Sequence, residues 1–200
     1  MPPKHTIQSS TYDQQFTDIV YAGTRLSGLC FEDCEFINCD FTDMLIENCI
    51  FTDCQFKSCN LSFVNLNGSQ FLNVVFSASK LLGVNWGNAC WQGLMSGAGL
   101  SFRHSILNYS SFFSLCITGI HIIECKAQDV DFREADLKAA NFTGTDLRNS
   151  LFMHTNLSQV DFTDATDYNI DLRNNVLTKA RFCRYEALNL LTSMDIDLID

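Results

Sequence analysis

The chain has 200 residues, a formal net charge of −10 and an apolar content of 46%. This length suits one domain or one repeat array, and the apolar content excludes a chain that is disordered by composition. The acidity argues against direct nucleic-acid binding, because phosphates need Lys and Arg. The charge is also uneven: residues 1–53 hold nine acids and two bases, 54–123 hold three bases and no acid, and 124–200 hold fourteen acids and eight bases.

In chain order, residues 1–15 read as a lead-in. Met1-Pro2-Pro3-Lys4-His5-Thr6 lacks the apolar region of a secretory signal, and no run approaches the roughly 18 apolar residues of a membrane span. A cytoplasmic protein with reduced thiols and no membrane partner is expected.

From residue 16 to 183 a period of five takes over. Sampling every fifth residue from Leu26 gives Phe31, Phe36, Phe41, Ile46, Phe51, Phe56, Leu61, Leu66, Phe71, Phe76, Leu81, Trp86 and Trp91. The pattern slips by one within 92–101 and resumes at Phe102, Leu107, Phe112 and Ile117. It continues through Phe132, Leu137 and Phe142 to Phe162, Leu172, Leu177 and Phe182, broken only at Asp167. Two residues before each large position the side chain is small or modest, as at Cys34, Cys39, Cys54, Ser69, Ser79, Ala135 and Thr155. The residue between is often Asp or Asn. Five matches neither the helical period of 3.6 nor the strand period of 2. It suits a chain that turns a corner every five residues, with one large and one small inward position per turn. The segment 92–101 contains Gly93, Gly97 and Gly99 around Met95; it reads as a one-residue insertion and a candidate contact loop.

From residue 184 the fives stop. Residues 186–191 read as a short helix and 195–200 as an edge strand, an appendage suited to closing the end of a repeat array.

Ten cysteines invite a metal or disulfide reading, but Cys34, Cys39, Cys49, Cys54, Cys59 and Cys125 all fall in the small inward slot. There a free thiol packs as a small apolar group, so neither metal nor cofactor is expected. His104, His121 and His154 fall at outward positions with no partners placed for a triad, and no phosphate-cradling glycine motif exists. An enzyme is not expected. Asp131, Asp136, Asp146, Asp161 and Asp171 sit at the recurrent Asp/Asn position, where turn hydrogen bonding explains them. Glu124, Asp129, Glu134 and Asp164 fall outside it.

Stretches such as Ala135-Asp136-Leu137-Lys138-Ala139 and Ala140-Asn141-Phe142-Thr143-Gly144 resemble the repeats of the pentapeptide-repeat family. That resemblance implies an all-β fold, a right-handed quadrilateral parallel β-helix with four repeats per coil and a short C-terminal helical dimerisation cap. Within the family, the phrases Leu82-Gly83-Val84-Asn85-Trp86 and Leu100-Ser101-Phe102 resemble the albicidin- and microcin-resistance proteins, and then the quinolone-resistance proteins. The likeness implies a non-catalytic DNA mimic with DNA gyrase as partner. The nine C-terminal acids named above would form the contact surface. Leu188, Leu190, Leu191, Ile196, Leu198 and Ile199 would join two copies. A structural or scaffolding rod with another partner is the alternative.

Overall fold

A computed structural model describes residues 10–91, 99–192 and 194. The chain winds into a four-sided parallel β-solenoid whose strands, of two or three residues, pair only with strands of neighbouring coils. Along the first side, Phe16, Phe36, Phe56, Phe76, Phe102 and Ile122 stand in register, and the same side continues through Asn141 and Asp161 to the paired Phe162 and Phe182. The second side carries the bridges Val20–Asp40–Asn60–Lys80 and Ile106–Lys126–Asp146. The third runs from Arg25–Ser27 through Leu45–Glu47 to Ser111, Asp131 and Leu151. The fourth runs from Ser10–Tyr12 through Cys30–Glu32 to Asp136, Asn156 and Val176.

The period of five becomes a core of stacked rings. Phe31, Phe51 and Phe71 stack with centroids 5.0 and 5.1 Å apart, and Phe56 lies between Phe36 and Phe76 at 4.6 and 4.9 Å. Trp86 stacks on Phe112, and Phe142 on Phe162. Adjacent sides meet edge to face, as Phe36 does with Phe41. Both arrangements suit the quadrupole of an aromatic ring.

Three local features differ from the sequence reading. Pairing begins at Ser10, which bonds beside Cys30, so the solenoid takes in part of the expected lead-in. The interruption is six residues, not one: Phe76 pairs with Phe102, while Phe56 pairs with Phe76 across the usual twenty. Slips of one and six are identical when counted in fives, and only the register between coils separates them. At the break in the pattern, Asp167 turns outward with φ of 58° and Tyr168 fills the core in its place.

The small slot is also more than small. The Ser79 hydroxyl donates to the Phe56 carbonyl at 3.2 Å and accepts from the Cys59 amide at 3.0 Å. Ser110 and Ser150 bond likewise to Leu81 and Ala127, and Thr145 and Thr155 to Ile122 and Phe132. Thiols serve more weakly, with Cys59 reaching the Phe36 carbonyl at 3.3 Å. Each side chain therefore satisfies backbone groups of the coil beneath it that water cannot reach. Ser79→Ala removes one such partner from a buried site, so we expect a loss of about 1–3 kcal/mol in denaturant melts. Ser58→Ala, at an exposed corner, serves as the control and should change little.

Candidate binding surface

The corner geometry accounts for acids that composition left unexplained. Every fifth residue from Asp13 to Gly83, and again from Gly99 to Asp164, has a positive φ. Asp, Asn and Gly tolerate this left-handed conformation best. Asp13, Asp18, Asp33, Asp43, Asp53, Asp129 and Asp164 therefore suit their corners whatever they bind. Glu124 and Glu134 occupy the same positions without that advantage. Asp at the recurrent position forms turns as expected: Asp131, Asp136, Asp146, Asp161 and Asp171 each accept the amide two residues on.

The nine acids of the expected contact surface do not gather on one side. Glu124, Asp161 and Asp164 belong to the first side, Asp129 and Asp146 to the second, Asp131, Glu134 and Asp171 to the third, and Asp136 to the fourth. Several are also matched by cations. Arg133 grips Asp131 through two bonds of 2.9 and 2.8 Å, and Arg173 grips Asp171 at 3.0 and 3.1 Å. The hydrogen bonds from Arg133 lower the Asp131 pKa, and those from Arg173 bring Asp171 down to about 2. Burial works to raise the Asp161 carboxyl, but Thr163 and then Arg181 pull it below its ordinary value. Glu124 meets His104 at 2.8 Å, so that histidine has an acidic partner the sequence reading did not give it. Asp164 accepts a weak bond from the Cys183 thiol at 3.4 Å. In the N-terminal zone, Glu35 pairs with Lys57 and Glu47 with Arg25.

All ten cysteines are free. Burial pushes the Cys54 thiol up to about 12 and Cys125 to about 11, which suits inert core groups. Among the described residues no cluster of His, Cys, Asp and Glu could hold a metal, and no helix is long and apolar enough to cross a membrane.

At the C-terminal end, Glu186–Leu188 forms a 3-10 turn and Asn189–Thr192 one turn of α-helix. Leu190 is buried in the core cluster, Leu191 is half-buried and Leu188 is exposed. Ile196, Leu198 and Ile199 lie outside the described residues, as do Gly93, Met95 and Gly97 of the expected loop. Gly99 has a φ of 67°, and a side chain there would come within 2.2 Å of the Asn73 amide oxygen.

The repeat geometry agrees with family comparison. A profile described as pentapeptide repeat region matches residues 29–95, and one described as pentapeptide repeats (8 copies) matches 118–153 and 131–166. The chain belongs to the pentapeptide-repeat family. No curated protein sequence matches it. Among solved structures, a trypsin-treated form of QnrB1, a plasmid-mediated fluoroquinolone resistance protein, is similar at 17% identity with a TM-score of 0.65. The match covers 96% of this chain and 99% of that one. HetL, a pentapeptide repeat protein involved in heterocyst differentiation regulation in the cyanobacterium Nostoc, is similar at 13% identity with a TM-score of 0.66, covering 86% and 84%. At these identities the likeness is one of fold.

One surface feature escaped the sequence reading. Phe63, Tyr109, Phe113, Leu151 and Met153 are large, apolar and exposed. The signal was present, because the period of five already places all of them at outward positions.

Proposed function

We propose that this protein is a non-catalytic, cytoplasmic binder of DNA gyrase, which it protects from a gyrase-poisoning antibiotic or toxin such as albicidin. The observation that carries the reading is the solenoid's similarity to QnrB1 over nearly the whole of both chains, combined with its net charge of −10. A rigid acidic rod can occupy the basic groove in which the enzyme holds DNA. Two copies joined through residues 184–200 would give it a two-fold axis to match a dimeric topoisomerase. Charge complementarity would speed the encounter and make it sensitive to salt.

The magnitude of the charge limits how far mimicry alone can go. Eight coil spacings of about 4.8 Å make the rod roughly 38 Å long. A net charge of −10 over that length is about one charge per 4 Å, against one per 1.7 Å of duplex. The spread of the acids over all four sides dilutes it further on any one face. Charge alone is therefore a weak substitute for DNA, and the contact needs another source of affinity.

The second reading is a scaffolding rod with a different protein partner. The equal fold similarity to HetL favours it, because that protein is described by a regulatory role. A supercoiling assay separates the two. The gyrase reading expects purified protein to inhibit gyrase at micromolar concentration and to leave topoisomerase I untouched. Inhibition of both, or of neither, removes it. Light scattering that reports a monomer under assay conditions removes the two-fold match.

A further inference from the structure

Away from its two ends, the rod exposes five large apolar side chains among the described residues, and all five lie on or at the edge of one side. Phe113, Leu151 and Met153 point out from the third side, and Phe63 and Tyr109 stand at its corner with the second. Their exposures run from 42% to 65%, so none is a core residue grazing the surface. The remaining exposed apolar groups, Tyr12, Val20, Val176, Tyr185, Leu188 and Met194, belong to the terminal coils or beyond them.

Two further observations separate this side from chance. The corner column runs Gly23, Asp43, Phe63, Gly83, Tyr109, Asp129 and Asn149, all but two being residues that tolerate positive φ. Phe63 and Tyr109 hold φ of 60° and 64°, a conformation rare for bulky side chains. Backbone strain of this kind clusters at binding and switch sites. The charged composition is also selective. Among the described residues the third side has Arg25, Arg133 and Arg173 but no lysine, while Lys57, Lys80, Lys126, Lys138 and Lys179 all fall on the other three. Aromatic residues, Met and Arg are enriched at protein interfaces and Lys is depleted.

The charges indicate what the surface would meet. Each of these three arginines is already paired, with Glu47, Asp131 and Asp171 respectively. The Arg133 guanidinium lies 5.8 Å above the Phe113 ring, which fixes both groups. Beside it, a groove of about 850 Å³ is lined by Arg133, Arg148, Leu151, Met153, Asp167 and Asp171. Among the described residues, what is left without an ion pair at the rims is acidic: Asp43 and Asp129 at one corner, Glu134 at the other. An apolar centre with paired arginines and an acidic rim complements a protein surface whose own apolar centre is ringed by lysine and arginine.

We propose that the third side, from Phe63 to Met153, is the face by which the rod docks its protein partner. The inference rests on the gyrase reading above and supplies the affinity that its charge lacks. Burial of this patch contributes to binding at any salt concentration, and the acidic rim sets the salt dependence.

The test uses full-length protein and DNA gyrase holoenzyme, with binding followed by calorimetry. The variant combines Phe113→Thr, Leu151→Asn and Met153→Thr; asparagine already stands in the Leu151 column at Asn65 and Asn85, so the coil should persist. Val176→Ser, an exposed apolar position on the fourth side, is the control. We expect the triple variant to bind at least tenfold more weakly, with an unchanged thermal melt, and the control to stay within about twofold. If the triple variant melts early, Phe113→Thr alone is read instead, with a several-fold loss expected. Wild-type binding that survives these changes overturns the docking face and leaves the gyrase reading intact. Wild-type protein that does not bind gyrase overturns both. A change in oligomeric mass on substitution would make the face a contact between copies of this chain, which also overturns the proposal.

Discussion

Replacing Phe56 by alanine should destabilise the solenoid by roughly 3–5 kcal/mol, near the top of the range for removal of a buried ring. Phe56 is fully buried, stacked between Phe36 and Phe76, and in edge or tilted contact with Phe41 and Phe51. The cost should lie high because the site cannot collapse. Backbone bonds above and below fix the height of the coil, so neighbouring rings cannot close the gap. The neighbouring residue gives the contrast. Lys57 points outward and pairs with Glu35 at the surface, a type of contact worth no more than about 1 kcal/mol. Denaturant melts of Phe56→Ala and Lys57→Ala measure both. A loss below about 1 kcal/mol for the first would contradict the stacking register. Repeat arrays also unfold in parts, so hydrogen exchange should show the loss concentrated in the coils that contain residues 36–76.

That contrast shows how much of the fold was legible in the amino-acid sequence. Large side chains at every fifth position specify the core directly, because burial of apolar area drives folding more than any other contribution and a period of five admits few architectures. Phe56 and Lys57 could be assigned to inside and outside without coordinates. What periodicity does not carry is anything that depends on which coil lies next to which. The six-residue insertion before Phe102 is one case. The hydrogen bonds of Ser79 are another, because the sequence shows a small residue and not the amide and carbonyl of the coil below. Tyr168 could stand in for Asp167 only because the chain bends locally, which a strict count in fives treats as an error.

The binding surface was less legible for a different reason. Acids are conspicuous in a sequence, but their net effect depends on neighbours. Asp131, Asp161 and Asp171 look like contact residues until Arg133, Arg181 and Arg173 are found beside them. Asp129 and Asp164 have an additional reason to be where they are, because their corners require a residue that tolerates positive φ. An exposed Phe113 or Met153 is inconspicuous in a chain with 17 Phe and becomes informative only when the solenoid brings it beside Arg133 and Leu151.

These placements sharpen the expectation about where charge assists docking. Both acidic zones are close in net charge, with seven excess acids in residues 1–53 and six in 124–200. If two copies meet through residues 184–200, the second zone is doubled near the two-fold axis, while the N-terminal zones sit alone at the far tips. Asp129, Glu134 and Asp164 are members of the second zone that carry no ion pair among the described residues, whereas Glu124 is engaged with His104. Changing those three to Asn or Gln removes six charges from a dimer without breaking an ion pair. Gyrase inhibition should then weaken by about tenfold and its dependence on salt should flatten, since exposed charges act mainly through the screened, long-range attraction. The matching N-terminal set is Glu32, Asp33 and Asp53, which also make no ion pair among the described residues and lie off the third side. Their neutralisation should change inhibition by less than about threefold, as each set would act once and far from the axis. Supercoiling assays at two or more ionic strengths compare the sets directly. Equal losses, or a larger loss from the N-terminal set with folding and dimerisation intact, would show that the rod does not dock by its middle.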